Sequence, residues 1–407
     1  MKEYQSHTLK NGLRIIHKPL AGKVSYCGFI VNAGTRDEQS TEYGMAHFVE
    51  HMLFKGTEKR RSHHIINRME SVGGEINAYT NKEETVIYSI FLEEHFTRAF
   101  ELLTDLAFHS VFPEREIEKE IDVILDEINS YEDSPSELIF DEFENIIFRN
   151  SQLGHNILGE PELLTKFDTV KARSFVQQHY LPENMVFFSL GNTNIKKIIK
   201  LAEKYLADIN ISNHQHIRIA PDSIDRVEQV TVKETSQTHA LIGGKCYNLH
   251  HPKRKALHLL NNILGGPGMN SRLNISLREK RGYVYNVDSN VTSYSDTGIF
   301  SIYFGCDKRN AEKCMKLIHA ELKNLRDNKL TTSQLAAAKK QMIGQIAISG
   351  DSHENLALSL GKSFMHYNHF NNMEETIKKI EQISASDLLE VANEVFDRDK
   401  LSSLIYQ

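Results

Sequence analysis

The chain of 407 residues contains only four cysteines, Cys27, Cys246, Cys306 and Cys314, and none of them stands in a CxxC pair. In a chain of this size they do not suggest a disulfide framework, and they read as reduced thiols, mostly buried. Long apolar runs are also missing: nowhere do ~18 apolar residues follow one another, so no membrane-spanning helix is expected. The opening MKEYQSHTLKNGLRII lacks the basic flank and uninterrupted apolar segment of an export signal, and with Met1 in place this predicts a soluble cytoplasmic protein. There is no lysine and arginine block long enough to follow a phosphate backbone, and 48 basic against 54 acidic residues give a net charge of −6, so nucleic acid is not an expected partner. No stretch approaches a disordered composition either, since hydrophobic residues make up 40% and charged residues 25%.

What is present is one pattern stated twice. SYCGFIVNAGTRDE at 25–38 alternates apolar and polar residues and ends at Gly34, as a half-buried strand entering a turn would. A helix is expected from near Gly44, a second in HHIINRMESVGG stopped by Gly73 and Gly74, and then a strand in INAYTNKEETVIYSIF. EEHFTRAFELLTDLAFHSVF carries apolar residues at helical spacing, and FPEREIEKEIDVILDEINSY gives a further helix after Pro113. The second half runs in the same order, with a strand in THALIGGKCYN (238–248), helices in PKRKALHLLNNILGG (252–266) and SRLNISLREKRG (271–282), and a strand in GIFSIYFGC. Two more helices follow, in NAEKCMKLIHAELKNLRDN and LTTSQLAAAKKQMIGQIAIS. Even the ends correspond, since NMVFFSLGN (184–192) and KLSSLIYQ (400–407) both read as short strands after a helix.

An internal repeat of ~200 residues predicts an α+β fold of two homologous α/β sandwich domains, each a mainly antiparallel sheet covered by helices. The polar, proline-containing stretch 208–228 is the expected junction, giving domains 1–215 and 216–407. Two like domains can face one another and enclose a cavity.

The most informative short segment is HFVEH, residues 47–51. On a helix, positions i and i+4 share a face, so His47 and His51 can direct imidazole nitrogens at one ion, with Glu50 beside them. The surrounding MAHFVEHMLF is otherwise apolar, which makes unliganded imidazoles costly there. Catalytic zinc uses three protein ligands and leaves a position for water, whose proton a neighbouring carboxylate can take. The third ligand is sought in EREIEKEIDVILDEI, where Glu120 and Glu127 are seven apart and share a helix face; one could ligate while the other supports it.

HFVEHMLFKGT at 47–57 resembles the inverted HxxEH zinc motif of the pitrilysin, or M16, metallopeptidases, also called inverzincins. GGEINAYTNKEETVIY at 73–88 is similar to that family's next strand, EIDVILDEI to its second zinc-binding helix, and LGGPGMNSRL with LREKRGYVYNV at 264–287 to its C-terminal signature. The similarity spans nearly the whole chain, and the length resembles the small-subunit branch, that of the mitochondrial processing peptidase β subunit and bacterial M16B peptidases.

The resemblance implies one zinc ion per chain held by His47, His51 and Glu127, with Glu50 as general base and Glu120 as the acid that supports the ligands. It implies that Asn77, Ala78 and Tyr79 form an edge strand to which an extended peptide adds. It also implies that Arg278 and Tyr285 hold the substrate backbone and steady the oxyanion. In fused relatives the Arg/Tyr pair lies in the second half and the zinc in the first, which implies a homodimer whose Arg278 and Tyr285 act in trans within a clamshell chamber. The chain departs from the family pattern in an additional residue at or beside Pro267 and in GYVYNV for GLAYSV; neither removes an implied catalytic group. The competing expectation is a non-catalytic structural or peptide-binding subunit, as degenerate members of such families are. Nucleotide binding at GGPG is disfavoured because no GK[ST] follows.

Overall fold

The computed structural model describes residues 3–209, 217–222, 226–233 and 235–407. The chain divides into two compact units, each with its own sheet. The first comprises Met1–Ile128, His155–Arg218 and Ser349–Asn372; the second comprises Asn129–Gly154, Ile219–Ile348 and Met373–Gln407. Along the chain the changeover between halves falls at Arg218/Ile219, within the expected junction 208–228, of which 210–216 and 223–225 lie outside the described residues. Neither unit is a single contiguous stretch, because each half of the chain contributes one helical segment to the other half's unit.

In the first unit, strands β1 (Gln5–Thr8), β2 (Arg14–Pro19), β3 (Val24–Val31), β4 (Glu75–Thr80), β5 (Thr85–Leu92) and β6 (Met185–Gly191) form one sheet in the order β1-β2-β6-β3-β5-β4. All neighbours are antiparallel except β2 and β6. Its helices include α1 (Met45–Met52), α2 (Ser62–Glu70), α3 (Phe96–His109) and α4 (Glu114–Glu132). In the second unit, α5 (Pro135–Ile147) accompanies β7 (Glu228–Thr231), β8 (Thr238–Lys245), β9 (Val284–Ser293), β10 (Gly298–Cys306) and β11 (Ser402–Tyr406), in the order β7-β11-β8-β10-β9. There too only one pair, β7 with β11, is parallel. Matching β2-β6-β3-β5-β4 to β7-β11-β8-β10-β9 reproduces order and direction strand by strand, as a duplicated fold requires.

Strand periodicity sets the two faces of the first sheet. Phe29 and Phe187 turn to one side and meet Phe100 of α3, with ring centroids 4.8–6.4 Å apart. Ile30, Val186 and Phe188 turn to the other and are covered by Ala357, Leu360 and Phe364 of the helix His353–Tyr367. A Cβ at Gly361 would stand 2.7 Å from Ile30 Cδ1 and 2.8 Å from Phe188 Cδ1, so glycine permits that close approach. β3 is therefore buried on both faces, whereas its sequence pattern suggested one, because the covering helix comes from the far end of the chain. In the second unit α5 plays the corresponding part, packing Ile139, Phe143 and Ile147 against Leu241, Tyr303 and Leu404.

Two further local differences have physical causes. INAYTNKEETVIYSIF is a hairpin rather than one strand, because the Asn81 side-chain oxygen accepts from the N–H groups of Glu83 and Glu84 and closes a turn without glycine or proline. Within 271–282 the backbone over Asn274–Glu279 winds as a π-helix. All four cysteines are free thiols, with Cys27, Cys306 and Cys314 buried. Among the described residues no helix is long and apolar enough to cross a membrane.

Candidate metal centre

The helix carrying the two histidines is short and mostly buried: Met45, Ala46, Phe48, Val49 and Met52 all face the interior. Its first residue follows Gly44, which adopts φ +96° and has no side chain to cap the helix. The carboxyl group of Glu38 does this instead, accepting from Gly44 N–H at 2.9 Å and Ala46 N–H at 2.7 Å. The helix is thereby held with His47 inward and His51 one turn on.

The partner helix α4 buries a stripe of Ile117, Glu120, Ile124 and Ile128. Glu120 is thus a carboxylate at an apolar position, and it is satisfied across the gap by His51 Nδ1 at 3.0 Å and Lys55 Nζ at 2.6 Å. Glu127, two turns along, keeps a partly exposed side chain beside the histidines.

The three donors converge. His47 Nε2 lies 3.2 Å from His51 Nε2, and Glu127 Oε2 lies 3.8 Å and 3.7 Å from them. All three ligand atoms fall within 4.8 Å of one another. Tetrahedral zinc with bonds of ~2.0–2.1 Å places its donor atoms about 3.3 Å apart, so this triangle is one slightly opened face of such a site. Burial and neighbouring charge act differently on the two imidazoles. Burial, with His51 nearby, lowers the His47 pKa to about 3, leaving a neutral imidazole with a lone pair to offer. For His51, burial works against the proton, but the hydrogen bond to Glu120 and the charges of Glu50, Glu120 and Glu127 outweigh it and raise its pKa. The Glu120 bond takes up Nδ1 and leaves Nε2 facing the other donors. The three donors present therefore fit a zinc ion.

Glu50 stands beside this triangle. Burial raises its carboxyl pKa, opposed chiefly by a hydrogen bond from Thr80 at the end of β4. β4 occupies the end of its sheet, so one edge of Asn77, Ala78 and Tyr79 has no strand partner among the described residues. The Tyr79 ring is flanked by Lys362 Nζ, 5.1 Å from its centroid, on the helix His353–Tyr367. The structure thus brings His47, His51 and Glu127 together with Glu50 and Glu120. Arg278 and Tyr285 belong to the second unit. Arg278 is exposed on the π-helical turn, and Tyr285, 57% exposed on β9, donates to Asp307 Oδ1 at 3.1 Å.

Reading the sequence did not single out Glu38, His155, Lys82 or Lys362. For Glu38 the available signal was an acid a few residues ahead of a helix that starts at an uncapped glycine. For Lys362 there was none, since nothing in the sequence places its helix against β4.

Residues 15–161 match the family described as insulinase, peptidase family M16, and residues 167–342 match the peptidase M16 inactive domain. His47, Glu50, His51, Glu120 and Glu127 all lie within the first match. Among curated proteins, the chain is 32% identical to an uncharacterized zinc protease, YmxG, of Bacillus subtilis, covering 98% of this chain and 97% of that one. It is also 32% identical to an uncharacterized zinc protease of Rickettsia felis, covering 100% and 98%. A crystal structure of a protease from Helicobacter pylori superimposes with a TM-score of 0.93 at 22% identity over the full length of both chains. One of a peptidase M16 inactive domain from Pseudomonas fluorescens gives 0.91 at 19% identity, covering 99% and 97%. At these identities the two structures speak for the fold.

Proposed function

Since the chain belongs to peptidase family M16, we propose that it is a zinc-dependent metalloendopeptidase that hydrolyses extended or unfolded peptides. The observation that carries this reading is the convergence of His47, His51 and Glu127 within 4.8 Å beside a half-buried carboxylate, Glu50. Zinc, when bound, supplies Lewis acidity toward water and the scissile carbonyl. Glu50 takes the proton of the attacking water and passes it to the departing amine, a role favoured by burial, which raises its pKa toward the working range. The free edge of β4 receives the peptide by main-chain hydrogen bonds at Asn77, Ala78 and Tyr79. Strand addition of this kind needs an unfolded segment, which selects against folded proteins.

Arg278 and Tyr285 supply donors to the oxyanion. Hydrogen bonding to Asp307 raises the Tyr285 pKa and keeps its hydroxyl protonated, and the hydroxyl exchanges that bond for the oxyanion when substrate is bound. They act in trans, one copy of the chain completing the site of a second in a homodimeric chamber. The test of the chemistry is Glu50→Gln: zinc content should stay at one per chain while cleavage of an unstructured peptide is lost, and turnover retained in a metal-verified sample would refute the base assignment. For the dimer, mixing Glu50→Gln with Arg278→Ala protein should restore activity through one intact site, and no recovery after proven subunit exchange would refute sharing.

The match of residues 167–342 to an inactive domain favours, as a second reading, a non-catalytic peptide-binding subunit. That reading expects peptide binding without turnover in the zinc-loaded wild type.

A further inference from the structure

Behind α1 lies a set of charged side chains that the proposed chemistry does not use. Taking His47, His51 and Glu127 as the zinc ligands, we propose that Glu38 is a positioning residue for the metal centre: it pins the first turn of α1 and, through His155 and Lys82, locks that helix to the hairpin whose edge strand takes the substrate.

The side chain of Glu38 is fully buried, and burial raises its pKa well above the ordinary carboxyl range against the opposing hydrogen bonds from Ala46 and Gly44. Three groups hold it in place. Gly44 N–H and Ala46 N–H each bind one oxygen, at 2.9 Å and 2.7 Å, and His155 Nε2 stands 3.1 Å from the oxygen shared with Gly44. The His155 ring is stacked on Tyr43, with centroids 3.8 Å apart and planes 11° from parallel, so its orientation is fixed from the side. Burial, reinforced by the Lys82 charge, lowers the His155 pKa to about 3, which makes it a neutral ring whose Nε2 is hydrogen-bonded to the Glu38 carboxyl group. The carbonyl of His155 in turn accepts from Lys82 Nζ, and Lys82 is itself 2% exposed.

Lys82 sits in the turn that joins β4 to β5. The segment running up to Glu38 is bound to the same turn by its backbone: Thr35 N–H donates to Asn81 O at 3.1 Å and Arg36 N–H to Lys82 O at 2.8 Å. One buried carboxyl group therefore ties together the start of the metal helix, the 35–38 segment and the end of the substrate hairpin. His47 is the residue after Ala46, whose N–H is held by Glu38. A slip of α1 along its axis by a single residue, ~1.5 Å, would carry both imidazoles and Glu50 out of register with Glu127 and β4. Displacements of ~1 Å in a reacting geometry cost about a hundredfold in rate. Glu38 touches neither the ligand atoms nor Glu50 and acts only through the helix.

The experiment compares zinc-loaded wild type with Glu38→Gln and His155→Gln. Asp105→Asn serves as control, because Asp105 is another buried carboxylate of the same unit, bound to Thr57 and Arg60. Zinc affinity is measured by competition with a chromophoric chelator, the Co2+-substituted proteins are compared by their visible absorption, and kcat and KM are measured separately on an unstructured peptide. Glu38→Gln should weaken zinc binding about 10–100-fold, the range seen when groups orienting metal ligands are lost. It should also alter the Co2+ spectrum and lower kcat with little change in KM. His155→Gln should move all three in the same direction by less, and it decides the matter if Glu38→Gln does not fold. Asp105→Asn should lose stability but keep affinity and spectrum. Wild-type affinity and an unaltered Co2+ spectrum in Glu38→Gln and His155→Gln, whatever their melting temperatures, would overturn the proposal alone. If His47→Ala also leaves zinc binding untouched, the metal-centre reading fails and the proposal falls with it.

Discussion

Glu120 Oε1 lies 3.0 Å from Nδ1 of His51, the nitrogen that faces away from the other two donors. The carboxylate is buried on the apolar stripe of α4, where burial alone would raise its pKa, yet its bonds from His51 and Lys55 lower it and keep it an anion. It therefore fixes the tilt of the His51 ring, one of the three proposed zinc ligands. Glu120→Ala should cost about 10–100-fold in zinc affinity, and Glu120→Gln less, because an amide oxygen can still accept from Nδ1–H. Chelator competition at neutral pH measures both.

Metal removal has a stability signature of its own. Zinc held at 100 times its dissociation constant stabilises the fold by ~2.7 kcal/mol through mass action. Stripping wild type with a chelator should lower its melting temperature and reloading should restore it. His47→Ala should melt at the same temperature in both states, as read by calorimetry.

The turn after β4 carries a pH-sensitive contact. Burial alone would raise the Glu84 pKa, but His366 and Lys362 outweigh it and bring it to about 2. The unfolded value is ~4.3, so the folded state holds the carboxylate more tightly ionised. Its contribution, about 3 kcal/mol, is fully present above roughly pH 5 and is lost as pH falls toward 2. Urea midpoints between pH 6 and pH 3 should fall less steeply in Glu84→Gln than in wild type.

Gly361 is the contact point between the helix His353–Tyr367 and the first sheet. Gly361→Val would drive new atoms into Ile30 and Phe188, which the added Cβ alone would approach to 2.7–2.8 Å. Overpacking of this kind costs about 1–3 kcal/mol. Denaturant unfolding should show the loss with an unchanged slope.

Much of the site was legible because helices translate spacing into faces. His47 with His51 and Glu120 with Glu127 are related by one and two turns, and the structure has each pair on the expected helix. Which of the two carboxylates bonds His51 and which stands beside both histidine Nε2 atoms is set by contacts across the fold, Glu120 with Lys55 and with Nδ1 of His51, that spacing alone does not reveal. The hairpin at 81–84 escaped notice because its turn is closed by the Asn81 side chain, in a segment without glycine or proline. The strand order is shared by the two sheets and so was implied by the repeat. Which sheet a helix covers was not, because α5 and the helix His353–Tyr367 each pack on the sheet built by the other half of the chain.

That exchange has a consequence for how the protein is made. β6 ends at Gly191 and its covering helix begins at His353, so the ribosome adds roughly 160 residues between them. At ~5–20 residues per second this is on the order of ten to thirty seconds. Through that interval the nascent first half holds Ile30, Val186 and Phe188 on a sheet face whose cover has not yet been synthesised. The half that carries His47, His51 and Glu127 is thus translated first and closed last.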